Sequence, residues 1–134
     1  MKKNLLFLIP ALALLFLVTS CNKSDPTPPA NTSVFQGKWT GLITPAVGPR
    51  PYFAITFNTD GTVLIEQNNA TTPDIARGTY TVSGNNVNAT YTFSGATTGT
   101  YSLAAIYSSS PVQISGTIGT GTSTTGYGTF DVSK

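Results

Sequence analysis

Residues 86–93, NVNATYTF, place Val87, Ala89, Tyr91 and Phe93 on one side of the chain and Asn88, Thr90 and Thr92 on the other. Successive side chains of a strand point to opposite faces, so this spacing describes a sheet with one apolar and one wet face. The same period of two recurs from Phe35 to the C-terminus, broken only by turn residues, and no stretch of ten or more residues carries helical periodicity. A chain patterned in this way folds into an all-β domain of short strands.

Eight such strands are predicted. Lys38–Thr44 turns Trp39, Gly41 and Ile43 to one face, and Tyr52–Phe57 does the same with Phe53, Ile55 and Phe57. The sequence Asn58-Thr59-Asp60-Gly61 then supplies an Asp-Gly hairpin signal before the return strand Thr62–Gln67. Gly78–Ser83 and Asn86–Phe93 flank a turn at Gly84-Asn85. Tyr101–Tyr107 is apolar nearly throughout, so its pattern leaves the inward face open. Val112–Gly119 alternates Val112, Ile114, Gly116 and Ile118, and Gly126–Ser133 ends with Phe130 and Val132 inward against Thr129 and Asp131. The polar segment Asn68–Ala76, which contains Pro73, reads as a loop.

Sequential short strands joined by hairpins predict an eight-stranded antiparallel up-and-down β-barrel, with a β-sandwich as the alternative. Closure removes exposed sheet edges, and eight strands close around a filled or lightly hollow interior. Gly41, Gly116 and Gly128 suit sharp bends, and the long crossover of a Greek-key sandwich is missing. The expected barrel interior contains Trp39, Phe53, Ile55, Phe57, Tyr80, Tyr91, Phe93 and Phe130. The segment Pro45-Ala46-Val47-Gly48-Pro49-Arg50-Pro51 is a stiff exposed loop, with Arg50 as a candidate contact residue.

The N-terminus has a different character. Residues 1–20, MKKNLLFLIPALALLFLVTS, place two lysines before an apolar run and close it with Thr19 and Ser20. This is the pattern of a secretory signal peptide. The apolar run covers about 14 residues and is interrupted by Pro10, whereas a membrane span needs about 20. Residues 21–33 read as a linker in which Pro26, Pro28 and Pro29 favour an extended polyproline conformation. The β-barrel domain is expected over residues 34–134.

Charge and composition exclude several functions. From Cys21 onward, five basic and five acidic residues cancel, leaving no electrostatic footprint for nucleic acid. The chain of 134 residues has no histidine and a single cysteine, so His- or Cys-based zinc sites and His-activated nucleophiles are not available. The domain carboxylates Asp60, Glu66, Asp74 and Asp131 fall on turns, a loop or outward strand positions rather than facing one another as a hydrolytic pair. The glycine-rich GTIGTGTSTTGYG lacks the lysine of a phosphate-binding loop. The expectation is a non-enzyme with no cofactor and no metal.

Val18-Thr19-Ser20-Cys21 resembles the lipobox of bacterial lipoproteins. That resemblance implies cleavage before Cys21, acylation of Cys21 by palmitate-like chains, and anchorage in the cell envelope. The outer membrane is the expected location, with its periplasmic and surface faces both open. Gly37-Lys38-Trp39 on the first strand and the terminal TFDVSK resemble small lipocalin-like (calycin) lipoproteins of Bacteroidota, in which the Trp plugs one barrel end. This likeness implies a binding module that holds a small apolar ligand in the barrel. The alternative is a surface-interaction module with a packed barrel, an adhesin, envelope accessory subunit or enzyme inhibitor, contacting an envelope protein or glycan. Its Tyr-, Thr-, Ser- and Asn-rich exterior suits such contacts.

Overall fold

The computed structural model describes residues 32–134; the leader, Cys21 and nearly all of the linker lie outside the described residues. A single helical turn, α1 (Thr32–Phe35), leads into eight strands. They are β1 (Gly37–Pro45), β2 (Tyr52–Phe57), β3 (Thr62–Asn68), β4 (Asp74–Ser83), β5 (Asn86–Ser94), β6 (Thr98–Ser109), β7 (Val112–Thr120) and β8 (Gly128–Ser133). Each pairs antiparallel with the next, and β1 pairs with β8 from Thr40↔Ser133 to Pro45↔Gly128. The result is the closed up-and-down barrel expected from the alternation, and not a sandwich.

Alternation fixes the register. Trp39 lies opposite Ile55, Ile55 opposite Ile65, Ile65 opposite Ala76 and Ala76 opposite Phe93, so one apolar layer runs around four strand pairs. A slip by one residue in any of these ladders would carry the apolar set to the solvent side. Most outward positions are polar, with Thr40, Thr79, Thr81, Asn88, Thr90 and Thr92 all exposed, and Leu42, Ile75 and Ile106 are apolar side chains exposed among them. Thr92 bonds Thr100 across the strands at 2.9 Å, and Thr90 bonds Ser102 at 3.0 Å. An apolar inside and a hydroxyl-rich outside is the inverse of a barrel that faces lipid.

Four glycines make this tight a closure possible. A Cβ at Gly41, Gly78, Gly116 or Gly128 would overlap the backbone of the neighbouring strand. Gly41 packs on Asp131 and Val132 of β8, at the seam where the barrel closes.

Several segments differ from the sequence expectation. Only residues 69–73 of the predicted loop Asn68–Ala76 are a connection. β4 begins at Asp74, directly after Pro73, where no ladder N–H is required. β6 extends well beyond Tyr101–Tyr107, and its inward face is Tyr101, Leu103, Ala105 and Tyr107, leaving Ile106 exposed. Val112 is 47% exposed rather than inward, because it opens β7 beside the Ser110-Pro111 turn, past the end of the core layers. Gly126 and Tyr127 belong to the loop before β8.

Phe93 is buried, with its ring edge-on to Tyr91 at 5.9 Å and to Tyr101 at 5.7 Å. Truncating it removes a ring from a packed wall. Phe93→Ala is therefore expected to cost about 3–5 kcal/mol in a urea titration, and a loss within experimental error would contradict this packing.

Candidate functional site

Strand direction alternates, so the two ends of the barrel are built differently. One end, the base, carries α1, the C-terminus and the short turns 58–61, 84–85 and 110–111. The other end, the mouth, carries the connections 46–51, 69–73, 95–97 and 121–127.

The base is sealed. Phe35 of α1 is fully buried, with its ring 6.1 Å from Phe57 and 5.5 Å from Tyr107. Trp39 donates its indole N–H to the Phe35 carbonyl at 2.6 Å. The Lys134 ammonium lies 4.7 Å from the Trp39 ring centroid and donates to the Val34 carbonyl at 3.1 Å. One side chain from the last residue thus joins the first strand to the helix before it, through a cation–π contact and a carbonyl that the short helix leaves unpaired. Tyr80 packs 4.8 Å from Phe57 and donates its hydroxyl to the Asn58 carbonyl at 2.8 Å.

The interior above this plug is occupied by rings. Phe53 of β2 and Phe130 of β8, on the strands that flank β1, lie 5.3 Å apart. Tyr91 stacks on Tyr101 at 5.9 Å, and Tyr101 meets Tyr127 of the last mouth loop at 5.2 Å. Trp39, Phe53, Ile55, Phe57, Tyr80, Tyr91, Phe93 and Phe130, the eight residues expected inside, are all buried.

At the mouth, a cleft of about 450 Å³ opens between the β1–β2 loop and the β7–β8 loop. Pro45, Val47, Pro49 and Pro51 form its apolar side, Gln67 and Asn68 at the end of β3 its polar side, and Tyr127 belongs to both. Backbone bonds hold these walls in place. Ala46 N–H donates to the Tyr127 carbonyl at 3.0 Å, Tyr127 N–H to Ile118 at 2.9 Å, and Ile43 N–H to Pro51 at 3.1 Å. Asn68 stands at φ 76°, the one non-glycine residue with positive φ among those described. Its amide bonds the Asp74 carboxylate, which also accepts from Thr97 at 2.7 Å. A second cleft, of about 290 Å³, shares Ala46 and Gly126 with the first and runs onto the outer wall past Thr44, Thr117 and Thr129.

Arg50, the predicted loop contact, is exposed but already paired. It donates to Thr44 at 2.7 Å and to the Asp131 carboxylate at 2.9 Å. Each domain carboxylate is likewise held locally, with Glu66 on Lys38 at 2.5 Å and Asp60 on the Thr62 amide at 2.9 Å. The Thr62 hydroxyl and amide together hold the Asp60 carboxyl below its ordinary range, and the Glu66 hydrogen bond raises Lys38. Among the described residues, no three acidic or sulfur ligands gather. Cys21, the expected lipid attachment site, lies outside the described residues.

The sequence reading passed over Gln67. It sits in phase with Val63 and Ile65 and is 6% exposed, a carboxamide on the inner face of an otherwise apolar wall. A polar residue on an inward beat is the signal that marks it. Tyr127 carried no such signal, because its position depends on where β8 begins.

Two predictions follow from these charges. Burial, and then the neighbouring Tyr127 and Tyr101, push the Tyr91 phenol far above its ordinary value. Folded Tyr91 keeps a proton that the unfolded chain releases near pH 10, so stability is full below about pH 10 and declines as pH rises toward the folded value. Tyr91→Phe is expected to flatten part of that alkaline decline in urea midpoints, while Tyr80, also raised by burial, sustains the rest. Arg50→Ala, which breaks an exposed ion pair, is expected to change stability by less than about 1 kcal/mol.

Compared with protein-family models, curated proteins and solved structures, the chain matches none of them.

Proposed function

We propose that this protein is a non-catalytic interaction module of the cell envelope, tethered through Cys21 as a lipoprotein and binding its partner at the mouth of a packed barrel. The filled interior carries this reading. Rings 4.8–6.1 Å apart pack in one cluster at the base, around Phe35, Phe57 and Tyr80, and in another around Tyr91, Phe93, Tyr101 and Tyr127, within one continuous buried apolar core. The clefts described lie at the rim or on the outer wall. An apolar ligand held inside would have to displace this packing, whereas a partner at the rim meets a surface already formed. The lipobox-like Val18–Cys21 supports the tether, and Trp39 at the sealed end is in keeping with a lipocalin-like lipoprotein. The carboxylates held in local bonds support a binding role over catalysis.

Expression of the full chain with an alkyne-palmitate label, followed by native mass spectrometry of the detergent-solubilised protein, tests both parts. The expected result is label on the wild type and none on Cys21→Ser, with no stoichiometric apolar molecule beyond the covalent acyl chains. Label on Cys21→Ser would overturn the tether. A co-purifying lipid at one per barrel would overturn the packed-barrel reading.

A further inference from the structure

The base carries more than its plug. Of the six large apolar side chains exposed among the described residues, three, Val34, Ile106 and Val112, belong to α1 and the β6–β7 hairpin. A single exposed apolar residue is ordinary, but these gather at one corner. Gln113 pairs with Ser133, which sets Val112 beside Lys134, and Lys134 bonds the Val34 carbonyl. Ile106 lies on the outer face of the same hairpin, 59% exposed, and Pro111 at its turn is exposed as well.

The hairpin also projects. Ile106, opposite Asn86, is the last β6 residue in the ladder with β5. Ser108 and Ser109 continue beyond it, with Gln113 and Val112 of β7 on one flank and no strand on the other. At about 3.4 Å per residue, the step from Ile106 to Ser109 carries the tip about 10 Å past the start of β5. Apolar side chains beside hydroxyls on a protruding tip suit a bilayer interface, where the first enter the acyl boundary and the second stay at headgroup level. Asp60, the carboxylate of the base turns, lies in the β2–β3 turn on the opposite side of the ring of strands, away from this corner.

The tether identifies what meets the corner. Ten residues, 22–31, separate Cys21 from α1. Even fully extended, a stretch of that length reaches no more than about 35 Å. An acylated Cys21 therefore holds the base at high effective concentration beside lipid, an advantage that no free partner has. Val47, the exposed apolar residue of the mouth, stands beyond the far end of β1. Presenting it to the same bilayer would require the linker to run back along the whole barrel.

We infer that the base is a membrane-facing surface, and that the β6–β7 hairpin, through Ile106, Pro111 and Val112, rests with Val34 on the bilayer interface. This inference rests on the tether through Cys21 and adds an orientation to it, with the mouth turned away from the lipid.

The test uses the full acylated chain in phosphatidylcholine vesicles. Ser109→Cys at the hairpin tip and Ala96→Cys in a mouth connection, both exposed positions, each take a nitrobenzoxadiazole label, since acylation blocks the Cys21 thiol. Part of the lipid is then replaced by phosphatidylcholine spin-labelled just below its headgroup. The expected result is quenching of the label at position 109 and none at position 96. Ile106→Asp combined with Val112→Asp, both at exposed positions, should abolish that quenching while the chain still floats with the vesicles. Quenching that is equal at the two positions, stronger at 96 or absent from both in a chain that floats overturns the docked base and leaves the tether standing. Quenching at 109 that persists in the doubly substituted chain overturns the apolar corner as its cause. A chain that does not float overturns the tether, and the docked base with it.

Discussion

Thr40 through Pro45 of β1 pair with Ser133 back to Gly128 of β8, and that ladder removes the last open edge of the sheet. Everything else in the molecule is arranged around it. The seam closes only because Gly41 lets the β8 backbone approach where any Cβ would collide. Once closed, the wall turns a set of large apolar side chains inward, and Phe53 of β2 and Phe130 of β8 meet over β1. At the base, Lys134 secures the same seam from outside the ladder by reaching over Trp39 to α1. Closure, filling and sealing are therefore one event seen at three levels: backbone approach, side-chain volume and end capping.

Much of this was legible in the sequence. Period-two alternation gave β2 and β5 nearly residue for residue, since each has turn residues at both ends and one clearly apolar face. It did less well where local pattern and tertiary context disagree. The start of β4 is polar and follows Pro73, so it reads as loop, and only pairing with β3 makes it a strand. β6 is apolar on both faces at its centre, and its phase is settled by neighbours such as Ile118 opposite Leu103. Val112 alternates correctly but lies beyond the last core layer, a distance along the barrel that sequence spacing does not encode.

The mouth was harder to read for a related reason. Its cleft is assembled from the end of β3 and two loops far apart in the chain, joined by the Ala46–Tyr127 bond. No contiguous motif records that meeting. The single local sign is Gln67, an amide on an apolar beat. Arg50 stood out in the sequence because it is charged among prolines, yet it serves to brace its own loop against β8 through Asp131. The conspicuous residue pairs with β8 while staying exposed, and the inconspicuous one lines the cleft.

An even number of strands returns the chain to the end where it entered, so α1 and Lys134 share the base and the cleft lies at the far end of β1. A partner held at the mouth and a tether at the N-terminus would pull along β1 from its two ends. β1 is bonded on both flanks, to β2 and to β8, by hydrogen bonds that run across the strand. A tensile load in that direction shears both ladders at once instead of peeling bonds one by one. Under the reading proposed above, a pull between tether and partner would therefore load both β1 ladders in shear.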